Sequence, residues 1–200
     1  NPDVSGILTI GGTILGTSNI ANPYRYAVQS KKCKLIFKDL HKTAIRNFKR
    51  LKAEALVSIG GDGTLSSAYR LNEDGIPIVG VPKTKDNDIL GTEITFGFDT
   101  AVTIATEGID RIHTTAQSHH RVMIVEVMGR NAGWIALHSG VAGGGDIILI
   151  PEIPFDIKLV VKKIKERNGK GKRFSIVVVA EGAKPKGGDV VVQRIVTQST

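Results

Sequence analysis

Cysteine is almost missing: Cys33 is the only one in 200 residues. It supplies neither a disulfide framework nor a CxxC metal pair, and a reducing, cytoplasmic setting suits the chain. Tryptophan is as scarce, with Trp134 alone, and aromatic residues make up 5%. They are scattered instead of interleaved with the lysines. The stacking platforms that single-strand binders set beside a positive groove are therefore lacking, which argues against nucleic acid. No apolar run is long enough to cross a bilayer, and no signal-like stretch opens the chain. No internal repeat or low-complexity linker is visible. These absences set aside disulfide-built, membrane and nucleic-acid-binding classes.

What remains is a globular composition. The hydrophobic fraction of 41% is enough to bury a core. The length fits one large domain or one and a half ordinary ones. A net charge of +8 suits small anionic ligands such as phosphate esters. The chain opens at Asn1 without a methionine and stops at Thr200 in a basic, polar stretch, so both ends read as cut.

Short apolar runs alternate with amphipathic segments. The pattern predicts strands over 4–10, 55–59, 76–81, 121–127 and 146–151, and again in "SIVVVAEG". Leu40, Ala44, Phe48 and Leu51 recur at helical spacing over 39–52, and Val102, Ala105, Ile109 and Ile112 share one face over 100–116. Further helices are expected from "LSSAYRL", after "MGRNAG" and in "IKLVVKKIKER". Strands apolar throughout, alternating with helices, indicate an α/β fold whose mainly parallel sheet is covered on both faces. A weakly marked subdomain boundary falls near 90–100.

In such sheets ligands bind at the carboxyl ends of the strands. The polar clusters fall there: Gly60 to Thr64, Lys83 to Asp88, Met128 to Arg130, and Glu181. In "GGDGT" the glycines let a phosphate approach the backbone, and the helix start that follows offers free N–H groups. Asp62 is then placed to hold a metal bridging phosphate oxygens. The plainer reading is a tight turn with an aspartate cap. In "PKTKDNDI", Asp86 can take a proton from a substrate hydroxyl, and Asp88 can support the metal or its water shell. Lys83 and Thr84 can donate to a transferring phosphoryl group. The plainer reading here is a solvated charge cluster. Arg130 brings a planar guanidinium that clamps phosphate with two hydrogen bonds.

"GGTILGTS", "GGDGT", "PKTKDNDI", "SHHRV", "EVMGRNAGWIAL", "GGGDIILIPE" and "VVVAEG" together resemble the 6-phosphofructokinases in order and spacing, over nearly the whole chain. The resemblance is closest to the bacterial branch that mixes ATP-type and pyrophosphate-type features. It implies a three-layer α/β sandwich with a mainly parallel sheet. It also implies phosphoryl transfer from Mg·ATP to the 1-hydroxyl of fructose 6-phosphate, the glycolytic step that gives fructose 1,6-bisphosphate. Gly61, Asp62, Gly63 and Thr64 match the phosphoryl-donor loop, with Asp62 on Mg²⁺. Thr84, Lys85 and Asp86 match the loop at the sugar hydroxyl, with Asp86 as proton acceptor. Arg121 matches an arginine that reaches the sugar 6-phosphate of a neighbouring subunit, which implies a homo-oligomer. Met128, Gly129 and Arg130 match a substrate loop whose arginine also steadies the transition state. Glu181 matches a carboxylate that binds sugar hydroxyls.

The donor is marked twice, in opposite directions. Pyrophosphate enzymes of the family carry aspartate where this chain has Gly63, which blocks the space of the ATP α-phosphate; the glycine favours ATP. ATP-only bacterial enzymes carry glycine where this chain has Lys83, and pyrophosphate enzymes carry lysine. Other positions depart from the family. Lys85 stands where a hydrophobic residue, usually isoleucine, is expected. Side chains alternate in an extended loop, so Lys85 need not point at the substrate. Asn19 replaces an arginine for nucleotide phosphates, and Asn131 a histidine or tyrosine. The family's first glycine-rich loop and its later "LGHxQRGG" stretch are absent, so the chain reads as the middle of a longer protein. Besides an ATP-dependent or pyrophosphate-dependent enzyme, a non-catalytic regulatory subunit that binds phosphorylated ligands remains open. His119, His120, Trp134 and Cys33 read as structural or incidental, and the basic run over 162–173 as a solvated helix end and turn.

Overall fold

The computed structural model describes residues 4–14, 16–18, 21–29 and 35–189. Asn19 and Cys33 lie outside the described residues. The strand expected over 4–10 does not form. Gly6 takes a left-handed φ of 79°, which ends any extended run, and Ile7–Thr9 form one exposed 3-10 turn. An apolar run becomes a strand only where another strand takes its hydrogen bonds.

The chain divides into two compact units. The first comprises Asn1–Ser58 and Gly63–Gly80, the second Ile59–Asp62 and Val81–Thr200. Residues 90–100, where composition suggests a boundary, all fall within the second unit.

In the first unit β1 (Tyr26–Gln29) pairs antiparallel with β2 (Leu35–Lys38), Tyr26 opposite Lys38 and Gln29 opposite Leu35. Periodicity did not suggest this ribbon. Helix α1 (His41–Arg50) follows, its start held by Asp39, whose carboxylate accepts from the His41 N–H at 3.0 Å. Lys49 and Arg50 in its last turn complement the helix dipole. Helix α2 (Asp62–Glu73) begins where the second unit's Gly60–Asp62 segment ends. Tyr24 gathers these pieces. Its hydroxyl donates to Asp74 Oδ2 at 2.6 Å, its ring stacks on His41 at 5.1 Å, and the Arg70 guanidinium lies 3.6 Å above the ring centre. Burial and the Asp74 hydrogen bond push the Tyr24 phenol up to about 12. The His41 ring, hydrogen-bonded to Asp39 at 2.5 Å, holds that carboxyl below its usual range.

Strands β3 (Leu56–Gly60) and β4 (Ile78–Pro82) form a two-stranded sheet, and both run from the first unit into the second. Hydrogen bonds from Leu56 N to Pro77 O and from Lys83 N to Gly60 O, each 2.9 Å, make the pair parallel. A parallel pair needs a crossover, and α2 supplies it.

The second unit holds a three-stranded parallel sheet in the order β5 (Val122–Val127), β7 (Ser175–Ala180), β6 (Ile147–Leu149). Central β7 is almost wholly buried, as a strand paired on both edges should be. Ile109 of α3 (Phe98–His119) and Ile135 and Ala136 of α4 (Trp134–Ala142) pack with Val127, Ile176, Val178 and Ala180. Val102, Ala105 and Ile112 line the same core, so the expected face of α3 is the packed face. Helix α5 (Ile157–Gly169) is tied to β7 near its end. Arg167 pairs with Asp146 at 2.6 Å and donates from Nε to Ser175 Oγ at 3.1 Å.

Candidate active site

The parallel register sets two pairs of loops at carboxyl strand ends. Gly61–Asp62 and Lys83–Asp88 follow β3 and β4, and Met128–Arg130 and Glu181 follow β5 and β7, where Val127 lies opposite Ala180. Within the second unit one connection joins the two. The segment 95–97 straps the lysine loop and leads directly into Phe98, which is buried in the cluster that holds Val127 and Ala180.

The strap is made of hydrogen bonds. Phe96 N donates to Pro82 O at 2.9 Å and Thr95 Oγ1 to Thr84 O at 2.7 Å. Asn87, in the left-handed region at φ 54°, accepts from Thr95 N at 2.9 Å and donates to Glu93 O at 3.3 Å. The sequence reading passed over Asn87 and Thr95. The signal was present, since asparagine is the residue type that most readily takes a left-handed turn position and bonds backbone from there.

Asp86 is the only buried ionisable residue among those described, at 5% exposure. Its N–H donates to Thr84 Oγ1 at 3.2 Å. That leaves the Thr84 hydroxyl proton to point elsewhere. The turn made by Thr84 and Asn87 brings neighbouring side chains together. Lys85 Nζ lies 2.8 Å from Asp86 Oδ1. Alternation in an extended loop would have separated them; the loop is not extended, and Lys85 points at the carboxylate. Lys83 is exposed at the start of the loop.

Glu181 holds the arginine loop. Its Oε1 accepts from Gly129 N at 3.2 Å and Arg130 N at 2.7 Å. Gly129 and Arg130 both have positive φ, 147° and 51°. Such strained backbone persists only where its surroundings hold it, and the carboxylate does so here. Gly182 must lack a side chain, because a Cβ there would collide with Arg130 O. Met128 and Arg130 are exposed at the rim. Arg121 is not with them. It precedes β5, so the length of the strand, roughly 20 Å, separates it from Arg130.

Asp62 and Asp88 are exposed carboxylates at these loops. Mg²⁺ takes one or two carboxylates and completes its shell with water and substrate phosphate. Asp62 and Asp88 are each of the ligand type that such an ion takes from protein. No group of three or more acidic, histidine or cysteine side chains forms an all-protein cage among the described residues, His119 and His120 included. At Gly63, the second residue of α2, an added Cβ would meet nothing within 4 Å. At Gly61 an added Cβ would lie 3.8 Å from both Lys83 O and Thr84 Cβ. The backbone at Gly61 and the start of the lysine loop therefore run side by side within the second unit.

A family model described as phosphofructokinase matches residues 1–200. The ATP-dependent 6-phosphofructokinase 2 of Clostridium perfringens is 58% identical over 196 residues, covering 98% of this chain and 54% of that protein. A pyrophosphate–fructose 6-phosphate 1-phosphotransferase of Amycolatopsis mediterranei is 54% identical over 188 residues, covering 94% and 51%. The crystal structure of Pichia pastoris phosphofructokinase in the T-state superposes with a TM-score of 0.79 at 33% identity, over 95% of this chain and 21% of that one. The chain spans about half the length of the curated relatives it matches. The α/β class expected from the alternating pattern is the one observed.

Proposed function

This chain belongs to the phosphofructokinase family, and we propose that the protein containing it transfers a phosphoryl group from Mg·ATP to the 1-hydroxyl of fructose 6-phosphate. The observation that carries the reading is Asp86, a buried carboxylate on a strapped loop at a strand end. There it accepts the hydroxyl proton as the oxygen attacks phosphorus. Lys83, Thr84 and Arg130 donate to the phosphoryl group, whose developing charge is best met by donors already in place. Gly61, Gly63 and Thr64 admit the donor phosphates to the start of α2. Asp62, supported by Asp88, would hold Mg²⁺, which neutralises phosphate charge when bound. Glu181 keeps the Met128–Arg130 loop in its strained form and reaches the sugar hydroxyls from the same position. Arg121, a strand length away, serves the sugar 6-phosphate of a second copy, which makes the protein a homo-oligomer. The lone Cys33 suits a cytoplasmic setting. No described helix is long and apolar enough to cross a membrane.

A second donor is supported by a specific residue. Lys83 can neutralise a short, highly charged donor, and the Amycolatopsis relative is named for pyrophosphate. The deciding experiment assays the full-length protein with ATP and with pyrophosphate, in wild type and Asp86→Ala. Asp86→Ala should lower turnover by roughly 10²- to 10⁴-fold and leave sugar-phosphate binding far less changed. Near-wild-type turnover in that variant would remove Asp86 from the mechanism.

A further inference from the structure

Glu152, the last residue of "GGGDIILIPE", stands just past the carboxyl end of β6. Its Oε1 accepts from Gly133 N at 2.8 Å. Glu181, just past β7, accepts from Gly129 N and Arg130 N at the other end of the same loop. Neighbouring parallel strands thus send two carboxylates to the segment 129–133, and together they take three of its backbone N–H groups. The segment is a closed turn, with Ala132 N donating to Gly129 O at 2.9 Å. It has no slack. Gly129 and Gly133 are buried. A Cβ at Gly133 would stand 2.5 Å from Ile150 Cβ and 2.7 Å from Glu152 Oε2, and one at Gly129 would collide with Ala132 O.

We propose that Glu152 is a positioning residue for Arg130. It fixes the rear of the turn as Glu181 fixes the front, and so sets where the guanidinium meets the phosphoryl group. This rests on the phosphotransferase reading. A buried N–H is costly to leave without an acceptor. Without Glu152, Gly133 N has to find water or another oxygen, and a turn without slack shifts as a whole to allow it. Arg130 lies three residues away in that turn, at a strained φ of 51°. The hydrogen bond from Ala132 to Gly129 passes the shift on, and the long arginine side chain enlarges it at its tip. A misplacement of about 1 Å can cost on the order of 10²-fold in rate, and the Glu181 contacts that remain limit the shift. Arg130 acts as charge develops on the phosphoryl group, so the loss falls mainly on kcat. The role needs an acceptor at Oε1 and not a charge.

The test uses the full-length protein with Glu152→Ala and Glu152→Gln, each alone and combined with Arg130→Ala, assayed well below Tm. Glu152→Ala should lower kcat about tenfold, with KM for fructose 6-phosphate within about threefold. Glu152→Gln, whose amide oxygen can accept the same hydrogen bond, should stay within about twofold of wild type. In the Arg130→Ala background, Glu152→Ala should cost no further rate, because the group it places is gone. Loss of stability alone would lower Tm and leave kcat in place. Wild-type kcat in Glu152→Ala, an equal fall in Glu152→Gln, or the same fall with and without Arg130 overturns the proposal. A readout without turnover comes from Trp134, the only tryptophan, which follows Gly133 and lines a small cavity with Glu152. Its emission should shift in Glu152→Ala and match wild type in Glu152→Gln. Unshifted emission in Glu152→Ala would overturn the clamp itself. A shift rescued by glutamine in a protein inactive with both ATP and pyrophosphate would support the clamp and count against the proposed reaction.

Discussion

Gly63→Asp should separate the two donors, and the structure makes it a clean perturbation. The position is the second residue of α2, is exposed, and has no atom within 4 Å of where a Cβ would stand. Its φ is not in the left-handed range. Aspartate is a somewhat better helix residue than glycine, and a negative charge in a first turn gains about 0.3–1 kcal/mol from the helix dipole. The variant should therefore fold at least as well as wild type, by about 0.5–1 kcal/mol. The effect on ATP has the opposite sign. The resemblance puts the α-phosphate beside this residue. Two like unit charges ~5 Å apart at an effective dielectric of ~20 repel by about 3 kcal/mol, and exposure and salt reduce that. A loss of about 1.4–2.7 kcal/mol corresponds to a fall of about 10- to 100-fold in kcat/KM for ATP. Pyrophosphate has no group at that place, and its kcat/KM should hold or rise. The measurement is the ratio of kcat/KM for the two donors in the full-length protein at fixed Mg²⁺ and ionic strength, with Tm beside it. An equal fall for both donors at unchanged Tm would refute the steric and electrostatic reasoning. So would an unaffected ATP rate. A wild type that uses only pyrophosphate would show that Lys83 outweighs the open glycine position.

Lys83→Gly, by the same ratio, should damage pyrophosphate-driven transfer more than ATP-driven transfer; the reverse order would detach Lys83 from the short donor. Gly182→Ala drives a Cβ into Arg130 O and should displace the Glu181-held loop. It should cost roughly 1–3 kcal/mol of stability as an overpacking change, with kcat falling as well; a thermal melt and a turnover assay matching wild type would contradict the loop assignment. The Tyr24 phenol is raised to about 12 from 10, chiefly by burial and then by the Asp74 hydrogen bond. The folded state binds this proton more tightly, so its contribution is complete below pH 10 and is lost as pH rises towards 12. Unfolding midpoints across that window should fall in wild type and fall less in Tyr24→Phe, and parallel curves would rule out the linkage.

The element types of the second unit follow from local periodicity. Val102, Ala105, Ile109 and Ile112 could lie on one face only of a helix, and the unbroken apolar run of 176–180 suits a strand buried on both sides. The placing of the polar clusters at strand ends follows as well, because each comes directly after an apolar run, and a parallel sheet brings such ends to one edge. Local pattern failed where an element depends on a distant partner. "VSGILTI" has the composition of a strand, but Gly6 turns left-handed and the run makes only a 3-10 turn; β1 and β2 lack strong alternation and pair all the same. The fine structure of the site came from the tertiary structure alone. Glu181 meets Gly129 and Arg130 across about fifty residues because β5 and β7 are neighbours in register. Asn87 fastens its loop to Thr95 through a backbone angle that composition does not reveal. Lys85 and Asp86 stand side by side in the sequence, but only the turn around Thr84 and Asn87 decides that their charges meet.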